Sequence, residues 1–488
     1  MGEVPVCKPN IIHLSKEGVR DLKEKNSEEL IERNSNFWRK LLKDKQIKKV
    51  VAPMVDQSEL AFRVMMKKYG ADLTYTPMIH AHLFVNDTTY RKNALTFSPE
   101  DRPVIVQFCA NDPQTFLKAC SLVEDFCDGV DLNLGCPQMV AKRGHYGAYL
   151  QEEIDLVCDM VSLVRDYCTL PISCKVRILP CPKKTLDYAN RLVEAGASML
   201  AVHGRTREMK GTVSGIADWS RIRQIVEAVN VPVIANGNIQ MPGDVDRCLE
   251  ATKAIAVMSA EGILYNPLLF AETHGESWKI ALEYLDYAEN YEAQISAIRA
   301  HIFRILHHSL LEFDDLRTLV SCQNTIASFR KVIEEVRDRV TMASQSDEKQ
   351  QDVRNALDYF EKIKNGEAEM DPISVCRTPH WISKPYFRFS EEQKKEIVSK
   401  KPVKRDELKS RAEDLGISIK QMKKRERRKL LGQKLLETRK LKYPPCENCG
   451  QPGGQGCKLK MCKKCCKYKC KTKLLDCPTH KSKFSKLE

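Results

Sequence analysis

From residue 49 onward the chain alternates between two textures. Short runs of β-branched and apolar residues occur at 50–53, 73–76, 104–108, 130–134, 172–176, 199–203, 233–236 and 255–258, and the segments between them carry apolar residues at helical spacing. Eight strands separated in this way predict repeated βα units. A doubly wound sheet and a closed barrel both satisfy the alternation. No GxGxxG follows the first run, as a dinucleotide-binding sheet would require. Polar residues instead close nearly every run: Asp56, Gln107, Asn133, Lys175, His203, Asn236 and Glu261. In a (β/α)8 barrel, a TIM barrel, those ends converge on one face. The expected fold is that barrel over 47–275.

Beyond Pro267 the strand pattern stops. Ile295, Ile298, Ile302 and Ile305 recur at helical spacing and Phe329, Val332 and Val336 continue it, so 284–365 reads as a helical domain. Pro372, Pro379 and Pro385 mark 366–403 as a linker, and 404–441 reads as one or two basic helices around KKRERRK at 423–429. Pro444 and Pro445 introduce a cysteine-rich module over 442–482. At the other end 1–46 is a polar extension with one amphipathic helix near 27–42.

Charge changes the picture of the tail. The net charge is +14, yet residues 401–488 hold 27 Lys and Arg against 9 Asp and Glu, which leaves the rest of the chain slightly acidic. Such a tail suits nucleic acid first and an anionic membrane surface second. No run approaches the roughly 18 apolar residues of a bilayer span, the start lacks an apolar leader, and Val6 stands where a myristoylation signal after Gly2 needs Ser or Thr. The expectation is a soluble monomer of the cytoplasm, also of the nucleus, without a membrane partner. Of 20 cysteines, 12 are scattered and 8 crowd between Cys446 and Cys477. That distribution suits a reducing compartment. Two CxxC units 13 residues apart predict a structural zinc site at Cys446, Cys449, Cys462 and Cys465. Cys457, Cys466, Cys470, Cys477 and His480 supply ligands for a second site, and spacing alone leaves their grouping open.

The segment DLNLGCPQMVAKRGHYGAYL at 131–150 runs from a strand into a glycine-punctuated loop with one thiol, Cys136. An isolated cysteine is usually a small buried hydrophobe. Here Gly135 permits an irregular turn, Pro137 ends the strand, and the loop lies at the functional face of the expected barrel, so the thiol points at a pocket.

With this segment, APMVDQSELAFR (52–63), VQFCANDP (106–113), CKVR (174–177), HGRT (203–206), ANGNI (235–239) and SAEG (259–262) make the chain resemble the dihydrouridine synthases over roughly 48–340, and MVDQSE with SAEG is similar to the eukaryotic branch acting on tRNA uridines 16 and 17. The resemblance implies FMN as cofactor and NADPH as electron donor. It places Pro53, Met54 and Val55 along the flavin ring and Gln107, Lys175 and His203 at its polar edge. Asn236, Gly237, Asn238, Ala260 and Glu261 fall to the phosphate, held by backbone amides after the last two strands. Many relatives carry Arg where Glu261 stands, which argues for an amide contact there.

The implied reaction is reduction of the uracil 5,6 double bond, with Cys136 giving the proton to C5. A thiol is mostly protonated at neutral pH and suits a general acid. Asn133 and Arg177 are expected to bond the uracil edge, with Lys142 and Arg143 on the flanking backbone. Arg299, Arg304, Arg330 and Lys331 offer the helical domain to tRNA. An unpaired loop uridine is the base most cheaply extruded into such a site. Two rival readings remain: an RNA-binding protein with a silent barrel, and a flavin oxidoreductase of a free pyrimidine.

Overall fold

In a computed structural model, eight parallel strands close on themselves: β1 (Lys49–Val51), β2 (Leu73–Tyr75), β3 (Val104–Cys109), β4 (Gly129–Leu134), β5 (Ile172–Arg177), β6 (Met199–His203), β7 (Val233–Asn236) and β8 (Ala256–Ser259). β1 pairs with both β2 and β8, with Val50 beside Leu73 and Met258, and β2 pairs with β3, so no edge is left open. The structure describes residues 11–13, 25–211 and 214–389, isolated positions between 411 and 422, and 444–481 apart from 450, 452, 455 and 474. Among the described residues no helix is long and apolar enough to cross a membrane.

Most strands carry apolar residues on both faces for a reason. Outward residues such as Val51, Val106, Val130 and Leu132 pack beneath the helices, and inward residues such as Val50, Leu73, Ile105, Ala201, Ile234 and Met258 fill the barrel. The polar end residues continue the inward set by twos: Gln107 after Ile105, His203 after Ala201, Asn236 after Ile234.

The polar extension has a structural task that its composition hides. Its helix, Glu28–Asp44, starts at Ser27, whose side chain accepts the Leu30 N–H, and places Trp38 and Leu42 in the cluster that fills the barrel. Trp38 is wholly buried, and a Cβ at Gly129 would lie 2.4 Å from its Cζ2, so β4 begins with glycine where the indole passes. Asn26 Nδ2 donates to the carbonyls of Arg165 and Cys168, fixing the helix across the amino-terminal end of the barrel.

After β8 the helices Ser277–Asn290, Ile295–Ile305, Ile326–Ala343 and Asp347–Lys364 bury the predicted apolar stripe, Ile298, Ile302, Ile305, Phe329 and Val336 included. They meet the barrel through Glu59, whose carboxylate accepts from Tyr284 Oη at 2.7 Å and faces His301 Nε2 at 3.0 Å. Burial pushes the Glu59 carboxyl up, but His301 and Tyr284 outweigh it and hold the pKa below its ordinary value.

The expected linker does not run free. Pro372–Arg377 is a short helix, and the chain after it is buried at Trp381, Ile382, Ser383 and Lys384. Ser277 N–H donates to Trp381 O, and Ser383 Oγ donates to Asn266 Oδ1. Prolines there supply turns within a packed strap. The basic helices expected at 404–441, KKRERRK among them, fall almost wholly outside the described residues. The described tail forms a separate unit with a helix, Lys463–Thr472, and a turn at Pro478–His480.

Candidate active site

Residues two apart on β4 and β5 face the barrel interior together, and this assembles a buried polar chain. Ser173 Oγ donates to Asp131 Oδ1 at 2.7 Å, Gln107 Nε2 to Asp131 Oδ2 at 2.8 Å, and Asn133 Nδ2 to Gln107 Oε1 at 2.8 Å. Asn133 Oδ1 then accepts the N–H groups of Gly135 and Cys136 at 3.2 and 3.0 Å. Burial pushes the Asp131 carboxyl up to about 7 against the opposing pull of Ser173, Gln107 and Lys175. Gln107 and Asn133, expected on flavin and uracil, therefore have both ends of their amides engaged by neighbours. A buried amide with unmet groups is costly, and satisfying them here fixes the loop that carries the thiol.

The loop is clamped from the other side as well. Arg177 Nε donates to Gly135 O and its Nη1 to Thr206 O, both at 2.8 Å; Lys210 Nζ donates to Pro137 O at 2.8 Å and Tyr149 Oη to the same carbonyl at 3.1 Å. Arg177, expected on the substrate, spends two of its nitrogens joining the cysteine loop to the loop after β6. Burial, then Arg205, lowers its pKa to about 10. Gly147 sits at φ +68°, and a Cβ there would come 2.8 Å from Cys136 O. Cys136 is half-buried against the cluster of Cys109, Ala141 and Tyr146.

Next to this loop lies a cavity of about 390 Å³ lined by Arg177, His203, Asn236, Gly237, Asn238, Ala260 and Glu261, all predicted site residues. Arg205, Lys210 and Arg388 also line it, so four cations face one carboxylate. Lys175 reaches its wall by donating to Asn236 Oδ1 at 3.1 Å, while Asn236 Nδ2 donates to Met258 O. Burial, then Arg177, brings the Lys175 pKa down to about 8, with Asp131 opposing. His203 is held far below its ordinary value by burial and by Arg177, Lys175 and Arg205, so its imidazole is neutral. Arg205 Nη1 lies 3.1 Å from His203 Nε2; that nitrogen accepts, and Nδ1 carries the proton.

Pro53, Met54 and Val55 do not line this cavity. Val55 is 59 % exposed and lines another cavity, of about 410 Å³, against Tyr291 and Ala297. Pro53 and Met54 are half-buried at the end of β1, Met54 against the barrel core. The Glu261 carboxylate receives a two-pronged grip from Arg388, at 2.7 and 2.6 Å, from the strap. Asn238 stands at φ +62° and uses its side chain to brace Ala217 and Arg205, which leaves its backbone for a ligand.

Sequence reading missed Asp131, Ser173, Arg205 and Arg388. The first two share a face with Asn133 and Lys175 by strand period, a signal that was there to use; Arg388 has none, being brought in only by the packed strap. Of the cations expected to meet RNA, Arg299 Nη2 donates to Gln323 O at 2.6 Å, Arg304 contacts Tyr265 Oη, and Arg330 pairs with Asp286. Arg299 and Arg330 are tied within the helical region and Arg304 joins it to the segment after β8, whereas Lys331, Lys142 and Arg143 are exposed. In the tail the ligand atoms of Cys446, Cys449, Cys462 and Cys465 all lie within 4.8 Å of one another, as do those of Cys457, Cys466, Cys477 and His480.

Comparison with known proteins bears on this geometry. The mouse (Mus musculus) protein named tRNA-dihydrouridine(16/17) synthase [NAD(P)(+)]-like is 41 % identical over 457 residues, 93 % of this chain and 91 % of the relative. The Saccharomyces cerevisiae tRNA-dihydrouridine(16/17) synthase [NAD(P)(+)] is 41 % identical over 358 residues, 70 % of this chain and 83 % of the relative. A human protein named for positions 20a and 20b is 36 % identical over 264 residues, 54 % of this chain and 82 % of the relative. With the family model described as Dihydrouridine synthase (Dus) matching residues 50–363, the chain belongs to the dihydrouridine synthase family.

Proposed function

We propose that this protein is an NAD(P)H-dependent tRNA-dihydrouridine synthase that uses FMN to reduce uridines 16 and 17 in the D loop of tRNA. The observation that carries the reading is the joining of a cation-lined cavity to the Cys136 loop, in a chain 41 % identical over 93 % of its length to a protein named for that activity.

The cavity suits an anionic, planar cofactor. Gly237 lies at φ +119° where a Cβ would come 2.6 Å from Ala217 Cβ and 3.2 Å from His203 Cδ2, so the backbone itself forms the wall. The loops after β7 and β8, with Asn236, Gly237, Asn238, Ala260 and Glu261, take the phosphate through backbone amides. Lys175 and neutral His203 meet the ring's polar edge. FMN held by these residues would supply the hydride chemistry, with NADPH as the source of reducing equivalents and the uracil 5,6 double bond as their destination.

The protein's own residues do the rest. Asn133 and Arg177 hold the Cys136 loop from two sides, and the Cys136 thiol gives a proton to C5 from the face opposite the hydride. The chain's Asp131, Gln107 and Ser173 keep that support rigid. In the tail, Cys446, Cys449, Cys462 and Cys465 bind structural zinc.

An absorbance scan of the purified protein tests the reading. Flavin bands that bleach with NADPH and return on adding tRNA lacking dihydrouridine are expected. A colourless protein that binds tRNA and cannot be reconstituted with FMN would instead establish a silent barrel.

A further inference from the structure

The tail's second set of ligands reaches beyond the single zinc site. We infer that residues 446–480 hold two zinc ions in an interleaved module, the first bound by four cysteines and the second by Cys457, Cys466, Cys477 and His480, with Cys470 left out. This rests on the structural-zinc reading above and adds the second ion, its ligands and the interlocking.

The sulfur spacing is the first support. Four sulfurs about 2.3 Å from a common centre in a tetrahedron stand about 3.8 Å apart. Cys449 Sγ lies 3.7 Å from Cys462 Sγ in the first set. In the second, Cys457 Sγ is 3.6 Å from Cys466 Sγ and 4.0 Å from Cys477 Sγ, and Cys477 Sγ is 3.6 Å from His480 Nδ1. A disulfide would need about 2.05 Å. Three thiols and an imidazole converging on one point give a soft, tetrahedral donor set without an open position, which is the chemistry of structural zinc.

The helix Lys463–Thr472 explains the interleaving. Successive residues on a helix point about 100° apart. Cys465 therefore turns to the first set and its neighbour Cys466 to the second, so one helical turn serves both ions. Cys470, one turn further on, is buried with its Sγ 3.8 Å from Cys466 Sγ, yet it is not among the four atoms that converge. His480 fits because position 454 is glycine: a Cβ there would lie 2.5 Å from His480 Nε2.

The packing makes the second ion a structural need. Among the described residues, the buried apolar cluster of 446–480 is Cys446, Cys457, Met461, Cys466, Cys470 and Cys477, with Leu459 partly buried beside it. A segment this short with a core made almost wholly of thiols cannot outweigh its chain entropy unless metal supplies folding free energy.

The test is zinc content of the full-length protein by mass spectrometry, together with zinc-edge X-ray absorption on the same sample. Two zinc ions per chain are expected, with an average first shell of seven sulfurs to one nitrogen across the pair. Cys470→Ser should keep both ions, whereas His480→Ala should lose at least one. One ion per chain in the unaltered protein would overturn the second site and leave the single structural zinc standing. No zinc, even after loading the reduced protein, would remove both readings. Two ions in an all-sulfur shell, or loss of an ion in Cys470→Ser, would put Cys470 in place of His480 and overturn the ligand assignment.

Discussion

The side-chain oxygen of Asn133 accepts the backbone N–H of Cys136 at 3.0 Å, so the next-to-last residue of β4 sets the direction of the thiol in the loop that follows. Asn133→Ala removes that bond and leaves Gln107 Oε1 buried without its donor, at about 1–3 kcal/mol. The expected outcome is a fall in tRNA turnover of about 10- to 100-fold with flavin still bound. Single-turnover reoxidation by tRNA measures it, and unchanged turnover would mean that the loop is held adequately by Arg177, Lys210 and Tyr149.

Cys136→Ala separates the two half-reactions. Bleaching of the flavin by NADPH should proceed as before if, as proposed, the thiol serves only the tRNA step. Reoxidation by tRNA should slow by roughly 10²- to 10⁴-fold, the usual range for loss of a general acid. Stopped-flow absorbance reads both steps on one sample, and full reoxidation would assign the proton to another donor.

Lys175 gives the cavity a pH dependence. Its pKa of about 8 means that an ammonium is present to meet an anion below that pH and is lost above it. FMN affinity, followed by quenching of flavin fluorescence, should weaken as pH rises through about 8, and Lys175→Met should remove that step. Stability of the flavin-free protein runs the other way. The folded pKa lies below the unfolded value, so the folded state releases its proton first, and unfolding free energy rises from about pH 8 to about pH 10.4.

Trp38→Ala opens a hole at the amino-terminal end of the barrel core from a helix that lies before the first strand. A loss of about 3–5 kcal/mol is expected, seen as a lower midpoint in denaturant unfolding. A loss under about 1 kcal/mol would show that the barrel packs without the indole.

Arg388 and Glu261 divide their effects. The pair is partly exposed, so breaking it should change stability by no more than about 1 kcal/mol. Arg388→Ala should nonetheless weaken FMN binding, since the guanidinium is one of four cations on the cavity wall, whereas Glu261→Ala should not. Fluorescence titration of the two variants distinguishes them.

These relationships show what a sequence exposes and what it hides. The eight strands and the inward polar residues were legible because a parallel strand repeats by twos and ends where its chemistry is needed. Lys175, His203 and Asn236 were expected at the barrel face in that way, and Cys136 from the glycine-punctuated loop after β4. The role of Gln107 and Asn133 as supports was not, because it depends on which neighbour each amide meets across the barrel. Trp38 and Arg388 lay in stretches that read as polar extension and proline-rich linker. Composition averaged over such a stretch conceals one buried aromatic or one placed cation.

Glu59 ties two parts of the molecule together mechanically. It follows Ser58, whose hydroxyl accepts the Met54 N–H, and its carboxylate is gripped by Tyr284 and His301 from two helices of the helical region. The loop after β1 is thus anchored at one end in the barrel wall and at the other in the helices. A shift of those helices is therefore passed to the cavity of Val55 and Tyr291 through the Glu59 carboxylate, with the Lys68 and Tyr69 bonds to Glu283 moving alongside it.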